Sequence, residues 1–222
     1  MGARRREGGG TGSPGEKMSM YRSFSELSAR EEEGIDYRIR CRRGTTGVGV
    51  VAIHGGGIEP GTTEIAEAVA GCRHSLYTFS GIKPRGNAAL HITSHLFDEP
   101  QGNELVASTA IIFSIHGCGD AEPIVFLGGR YHRLARRVGK MLESAGFMTG
   151  SSSQYPGLSR FNICNRGRLA MGVQLEISTG LRRNFFGDLK CRPLPAGSPL
   201  MNRFVETVTA VIGDMDAEWQ PL

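Results

Sequence analysis

Two segments of the sequence place a histidine at the end of an apolar run. VVAIH ends at His54, with three glycines and then Glu59 after it, and IIFSIH ends at His116, with GCGD after it. Imidazole and carboxylate groups are standard zinc ligands, and catalytic zinc sites use three protein ligands with an open position for water. His54, Glu59 and His116 are therefore a candidate zinc set, which would lower the pKa of a bound water toward about 7.

The glycines at 55–57 explain how His54 and Glu59 could reach one ion. Glycine accepts backbone conformations that other residues avoid, so the chain can turn sharply off the end of a strand. The same glycines predict exposed backbone N–H groups near the metal, where a developing oxyanion would sit. A single histidine after a strand is more often a hydrogen-bonded core residue than a ligand. Two such histidines with a glycine-spaced glutamate favour the metal.

Another glutamate, Glu176, lies inside the apolar segment MGVQLEIS. A buried carboxylate is costly unless it is paired. Glu176 is therefore either a general base beside a metal-activated water or a buried acid that bonds to an arginine such as Arg166 or Arg168. Arg182 and Arg183 follow this segment closely. They are either exposed charges at the start of a helix or a guanidinium fork for a substrate carboxylate.

Other candidates carry less weight. The segment LHITSH is typical of a strand, in which His91 and His95 would share a face about 13 Å apart. Either could support the site, and a second metal site is the less favoured alternative. Cys118 lies near His116, but no Cys–His motif matches it, and a free buried cysteine is the better interpretation.

Alternating strands and helices must position these residues. The apolar periodicity predicts strands at 47–54, 74–81, 90–94, 108–117, 122–129 and 171–178, and helices at 62–71, 130–146 and 201–215, with a short helix capped by Ser25 before them. This alternation predicts an α/β fold, with a mixed, largely parallel sheet flanked by helices. Sheets of this type carry their sites beyond the carboxyl ends of the strands. Residues 1–18 are rich in Gly, Arg and Ser and are expected to be a disordered tail before a single domain at 19–222.

Composition excludes several classes of function. The 222 residues are 39% hydrophobic and 22% charged, which is ordinary for a globular domain. The net charge of +4 derives partly from the Arg-rich start, so no nucleic-acid partner is predicted, although a mildly basic body suits an anionic substrate. Five cysteines without CxxC argue against a disulfide framework or a cysteine zinc knuckle. No apolar stretch is long enough for a membrane span, and the N-terminus lacks a secretory h-region, so a cytoplasmic location without a membrane partner is expected.

Five longer segments carry a family resemblance: IHGGGIEPGTTEIA, YTFSGIKPRGNAALHITSHLFDEP, IIFSIHG, FNICNRG and GVQLEISTGLR. In their order and spacing, the chain resembles the phage-type poly-γ-glutamate hydrolases over roughly residues 20–215. The resemblance implies a compact zinc carboxypeptidase-like fold and zinc-dependent hydrolysis of γ-glutamyl amide bonds. It also implies His54, Glu59 and His116 as zinc ligands and Glu176 as the catalytic carboxylate.

The resemblance further implies an anionic glutamyl polymer or peptide as partner, with a monomer expected and release on cell lysis if the protein is phage-borne. The residues in motifs that would border the cleft and bind substrate are Arg85, Asn87, Arg166 and Arg182. Two alternatives stay open. One is a zinc amidase for another acyl-amino acid or peptide, since a fold does not determine a substrate. The other is a catalytically silent binding protein, against which the intact set of four site residues argues.

Overall fold

The computed structural model describes residues 20–191 and 193–218. The expected disordered tail at 1–18 lies outside the described residues, so that expectation and the domain boundary stay predictions. The strands are β1 (Tyr37–Arg42), β2 (Val48–Gly56), β3 (Ser75–Gly81), β4 (Ile111–Cys118), β5 (Ile124–Gly128), β6 (Met148–Gly150) and β7 (Val173–Ser178). The α-helices are α1 (Phe24–Ser28), α2 (Thr62–Ala70), α3 (Pro100–Ser108), α4 (His132–Ser144), α5 (Thr179–Phe186) and α6 (Pro199–Glu218). Short 3₁₀ helices cover Asn87–Leu90 and Ile163–Asn165.

The seven strands form one sheet in the order β1-β3-β2-β4-β7-β5-β6. The central strands β3, β2, β4 and β7 are parallel to one another. β1 pairs antiparallel with β3, and β5 pairs antiparallel with β7. Because β5 reverses the direction, the connection from β4 to β5 crosses the edge of the sheet where the parallel strands end. The predicted mixed, largely parallel sheet flanked by helices is confirmed.

Each face of the sheet carries its own core. Phe113 and Ile115 of β4 point into the larger core, which also takes in residues of α2, α4, α5 and α6. Ile112 points into the smaller core on the other face, with residues such as Phe79 and Phe97. Successive residues of a strand alternate between faces, so the even-numbered positions at the end of β4 open on the side of the smaller core. That side has room for a cavity.

One predicted element is wrong. Residues 90–94 do not form a strand; the 3₁₀ helix Asn87–Leu90 leads into an irregular segment. Gly86 adopts a left-handed conformation with φ of 78°, which starts this turn, and Leu90 and Ile92 reach the smaller core without pairing to a strand. The local β propensity of this segment is therefore overridden by its packing.

Other differences concern short elements. The first helix is capped by Ser23 and not by Ser25, because the Ser23 hydroxyl accepts the N–H of Glu26 at 3.2 Å. The sequence analysis missed α3, whose N-terminal N–H groups bond to the Glu99 carboxylate, and it also missed β1, β6 and α5. None of the described helices has the length and apolar character to cross a bilayer.

Candidate functional site

The ends of three neighbouring strands bring the predicted site residues to one cavity. His54 belongs to β2, His116 to β4 and Glu176 to β7, and His116 and Glu176 are direct register partners on adjacent strands. A cavity of about 610 Å³ lies over these ends, and its lining includes His54, Glu59, His91, His116 and Glu176. The topology thus explains why residues far apart in the chain share one site.

Three donor atoms of the predicted zinc set face one another. Nδ1 of His54 lies 3.2 Å from Nδ1 of His116. The Glu59 carboxylate reaches both rings, with Oε1 3.3 Å from Nδ1 of His54 and Oε2 3.7 Å from Nδ1 of His116. Donor atoms about 2.0–2.1 Å from a tetrahedral zinc ion lie about 3.3 Å apart. The observed separations match that spacing, so the three residues fit a zinc ion.

The opposite nitrogen of each ring determines its orientation. Nε2 of His54 lies 2.8 Å from the carbonyl oxygen of Ile92, which can only accept, so this nitrogen carries the proton and Nδ1 presents a lone pair. Nε2 of His116 lies 2.7 Å from the Ser114 hydroxyl, and donation there gives the same tautomer. Two lone pairs and a carboxylate facing each other repel unless a cation lies between them. Outer hydrogen bonds that orient histidine in this manner are a regular feature of metal sites.

The surroundings of Glu59 keep it ionised. Burial alone would raise the pKa of its carboxyl, but with protons on the imidazoles in place of a metal, the charge of His54 and hydrogen bonds donated by His116 and His54 hold that pKa well below its usual range. A metal cation between the neutral rings would act on the carboxylate in the same direction. Oε2 also accepts the backbone N–H of Gly117 at 2.8 Å, which ties the carboxylate to the end of β4. Glu59 is therefore a charged, oriented oxygen donor.

The glycine segment after His54 serves close packing more than oxyanion binding. Gly56 has a φ of 60°, and a Cβ on Gly55 would lie 2.1 Å from the Thr63 hydroxyl. The N–H of Gly56 donates to that hydroxyl at 3.0 Å, and the N–H of Gly57 donates to the carbonyl of Gly81 at 2.8 Å. The expected tight turn is present, whereas these two N–H groups are occupied and the expectation that they serve an oxyanion is wrong for them.

His91 is a site residue that the sequence analysis ranked too low. Its ring stacks on that of His54 with centroids 3.9 Å apart, and its Nε2 lies 4.0 Å from Oε1 of Glu59. His54, Glu59 and His91 thus form a second possible donor set, with ligand atoms within 4.8 Å of one another. His116 has the shorter contact to Glu59, 3.7 Å against 4.0 Å, but it faces Oε2, whereas His54 and His91 both face Oε1. The signal for His91 was hidden because LHITSH resembles a strand, although the segment is a loop folded over the cavity.

Glu176 is held by a chain of side-chain amides. Its Oε1 accepts from Nε2 of Gln174 at 2.9 Å, and Oε1 of Gln174 accepts from Nδ2 of Asn162 at 2.9 Å. The arginines considered as partners bond elsewhere, Arg166 to a loop carbonyl and Arg168 to the carbonyl of Ser108. Glu176 therefore lines the cavity and accepts a hydrogen bond from a neutral amide.

The thiol at the end of β4 is unreactive. Cys118 is buried and free, and it lines the cavity. Burial, followed by a hydrogen bond to Asp120 and the charge of Glu176, raises its pKa to about 12. A thiol in this state is protonated at neutral pH and is a poor nucleophile, which agrees with the interpretation of a free buried cysteine.

The residues expected to bind substrate do not line this cavity. Arg166 donates from Nη1 to the carbonyl oxygen of Phe97 at 2.6 Å, which ties two loops together. The Asn87 side chain bonds both the N–H and the carbonyl of Lys83, and Arg85 is exposed beside that turn. Their substrate contacts stay predictions.

Arg182 is buried beneath the same strand ends. It belongs to α5, and its guanidinium donates to main-chain carbonyls beneath the cavity. A substrate contact by Arg182 also stays a prediction, and its hydrogen bonds favour a different role.

Comparisons with known proteins agree with this geometry. Residues 21–207 match the family model described as poly-gamma-glutamate hydrolase. The chain is 35% identical over 178 residues to the UPF0714 protein YndL of Bacillus subtilis (strain 168), covering 78% of this chain and 70% of YndL.

Two solved structures share the architecture. The bacteriophage poly-γ-glutamate hydrolase superposes with a TM-score of 0.87 at 29% identity, over 91% of this chain and 100% of the phage enzyme. The zinc-free apo form of YndL superposes with a TM-score of 0.83 at 32% identity, over 89% of this chain and 98% of YndL. The zinc carboxypeptidase-like fold class predicted from the sequence is confirmed. The chain belongs to the poly-γ-glutamate hydrolase family.

Proposed function

We propose that this protein is a zinc-dependent hydrolase of the γ-glutamyl amide bonds in poly-γ-glutamate. His54, Glu59 and His116 hold the metal, and Glu176 is the general base. The observation that carries the proposal is the convergence of two imidazole Nδ1 atoms and one carboxylate at separations of 3.2–3.7 Å, in a cavity that also contains Glu176. Family membership supports hydrolysis as the class of reaction.

The protein side of the mechanism follows from the two carboxylates. A zinc ion in this site supplies a Lewis acid and makes water a better nucleophile at neutral pH. Glu176 takes the proton of the attacking water on a carboxylate oxygen and passes it to the nitrogen of the departing amine. The amide of Gln174 holds Oε1 of Glu176, so the carboxylate keeps one orientation through both transfers. Glu59 stays ionised and does not take part in the proton transfer.

Support for the substrate comes from the relatives and from the charge of the chain. A relative with a TM-score of 0.87 is a bacteriophage poly-γ-glutamate hydrolase, and another relative has been solved in a zinc-free form. A net charge of +4 favours the approach of a polyanion. Polar residues such as Ser94 and His95 also line the cavity.

The test combines metal analysis with a polymer assay. Purified protein is expected to contain one zinc per chain, and to lower the viscosity of a poly-γ-glutamate solution while releasing new amino groups. The Glu176→Gln variant is the matched control, because it keeps the shape of the side chain but cannot accept a proton. An α-linked polyglutamate tests the linkage in the same assay.

Each result has a defined meaning. Zinc-loaded protein that leaves poly-γ-glutamate intact but cleaves another acyl-amino acid or peptide would indicate the alternative amidase. Zinc-loaded protein that binds the polymer without cleaving any of these substrates would indicate a silent binding protein. Wild-type protein without zinc, even after incubation with the metal, would contradict the assigned ligand set.

A further inference from the structure

Arg182 makes an unusual set of contacts for a buried cation. Its side chain is almost fully enclosed, with 4% of its surface exposed. Nε donates to the carbonyl oxygen of Ile177 at 2.9 Å, Nη1 to that of Pro60 at 2.8 Å and Nη2 to that of Cys118 at 2.8 Å. Nη2 also bonds the Thr179 hydroxyl at 3.1 Å. One rigid guanidinium therefore connects three segments of main chain.

Each of these segments carries a residue of the proposed site. Pro60 directly follows Glu59, and Ile177 directly follows Glu176. Cys118 directly follows Gly117, whose N–H binds Oε2 of Glu59. The guanidinium thus bonds to the main chain next to the metal-donor carboxylate, next to the proposed base and two residues beyond His116.

Gly117 shows how closely Arg182 packs. A Cβ on Gly117 would lie 2.6 Å from Cζ of Arg182, so only glycine leaves room for the guanidinium beneath the end of β4. The glycine in the SIHG motif lies within β4 and is therefore explained by its contact with Arg182.

The charge of Arg182 is retained in this position. Burial lowers its pKa, while Glu59 and Glu176 oppose that shift. Carbonyl acceptors satisfy the buried donors, which a charged group removed from water requires. A planar fork with donors in fixed directions is suited to three carbonyls in a way that an ammonium is not.

We propose that Arg182 is a positioning residue, which sets the spacing between the Glu59 loop and the strand ends that carry His116 and Glu176. This inference rests on the proposed function, because it assigns Arg182 to the geometry of that site. It differs from the substrate contact expected from the sequence, since the guanidinium lies behind the donors and outside the cavity lining.

The test compares Arg182→Lys with Arg183→Lys. Arg183 is the neighbouring residue on α5 and is exposed, so its variant controls for the loss of an arginine at this helix. Lysine at 182 keeps the charge but cannot reach three carbonyls at once. We expect Arg182→Lys to weaken zinc affinity and to lower kcat, each by about 10–100-fold as for other residues that orient a metal site, with KM for poly-γ-glutamate nearly unchanged. Arg183→Lys should match wild type in all three quantities.

Thermal unfolding of the zinc-free proteins separates positioning from stability. Arg182→Lys removes the planar fork but keeps the charge, whereas Arg182→Gln removes both. Equal losses in the two variants would show that the fork, and not the charge, is what the site needs. A higher KM with unchanged zinc affinity and kcat would show that Arg182 contacts substrate and would overturn the proposal. A lower melting temperature with wild-type zinc affinity and kcat in the folded protein would show a purely structural role and would also overturn it.

The zinc titration keeps this inference distinct from the proposed function. Wild-type protein that binds zinc but does not cleave poly-γ-glutamate contradicts the substrate, and the zinc affinities of the variants still decide the role of Arg182. Wild-type protein that binds no zinc overturns both, and this result is seen before any variant is compared.

Discussion

Glu59 and Glu176 are glutamates in one cavity with the same burial, each with 6% of its surface exposed, yet their surroundings differ. Glu59 lies against two imidazoles, which hold its pKa well below the usual range, and its Oε2 accepts a backbone N–H. Glu176 is the register partner of His116 on the adjacent strand, and it accepts a hydrogen bond from the neutral side-chain amide of Gln174. Burial alone therefore does not assign a role to a carboxylate. The difference in partner groups supports the proposal that Glu59 is the metal donor and Glu176 the base.

The largest effect on zinc binding and activity is expected from removing one of the two imidazoles that contact Glu59. His54→Ala or His116→Ala should abolish zinc binding and activity, because two remaining donors do not hold a catalytic zinc ion. His91→Ala is the matched control and should keep most of the zinc, since its nitrogen lies farther from Glu59. Metal content after gel filtration decides between the two donor sets. Retention by His116→Ala together with loss by His91→Ala would assign the third ligand to His91.

Next in size is the loss of the proposed base. Glu176→Gln should keep zinc and the fold while kcat falls by on the order of 10²–10⁴, as for a lost general base. Turnover and metal content are measured on the same preparation. Near-wild-type turnover in zinc-loaded Glu176→Gln would contradict the proposed mechanism, in which Glu176 is the general base.

The corresponding change on the other carboxylate should act through the metal. Glu59→Gln should weaken zinc binding by at least the 10–100-fold that orienting residues contribute, because an amide is a poorer zinc donor than a carboxylate. Titration with a zinc chelator measures this affinity. If Glu59→Gln keeps its zinc while Glu176→Gln loses it, the two roles are exchanged.

A smaller loss of zinc affinity is expected from removing a side chain that hydrogen-bonds to a zinc ligand. Ser114→Ala removes the hydroxyl next to Nε2 of His116 and should weaken zinc binding by about 10-fold. Ser94→Ala serves as the comparison, because its hydroxyl lies 3.5 Å from the same nitrogen and contributes a weaker bond. Equal zinc affinity in Ser114→Ala and wild type would show that packing alone orients the His116 ring.

The sequence predicted the parts of the site that have local signals. His54, His116 and Glu176 were found because each interrupts an apolar strand, and Glu59 because glycines separate it from His54. The parallel strands that align these residues follow from the alternation of elements. The structure brings the four residues together, while their chemical roles stay proposals.

What the sequence did not show depends on packing between distant segments. His91 lies in a loop whose residues favour a strand, and only the folded chain stacks it on His54. The carbonyl of Ile92 that orients His54 has no sequence signature, since every residue carries one. Arg182 was noticed for its charge, but its acceptors come from three separate segments that meet only in the folded protein.

The reversed direction of β5 makes the two flanks of the cavity unequal. Because the chain must cross the carboxyl edge to start β5, Gly119 and the exposed Asp120 line the cavity on one flank. A polymer with a carboxylate on every unit is repelled at that flank, so we expect few substrate units to extend past it and the longer part of the chain to leave on the other side. Asp120→Asn should then raise kcat/KM modestly for long chains at low salt, an effect that screening removes at high salt, whereas Glu122→Gln, outside the lining, should not. The order of strands in the sheet would in this way determine the direction in which a long substrate leaves the proposed site.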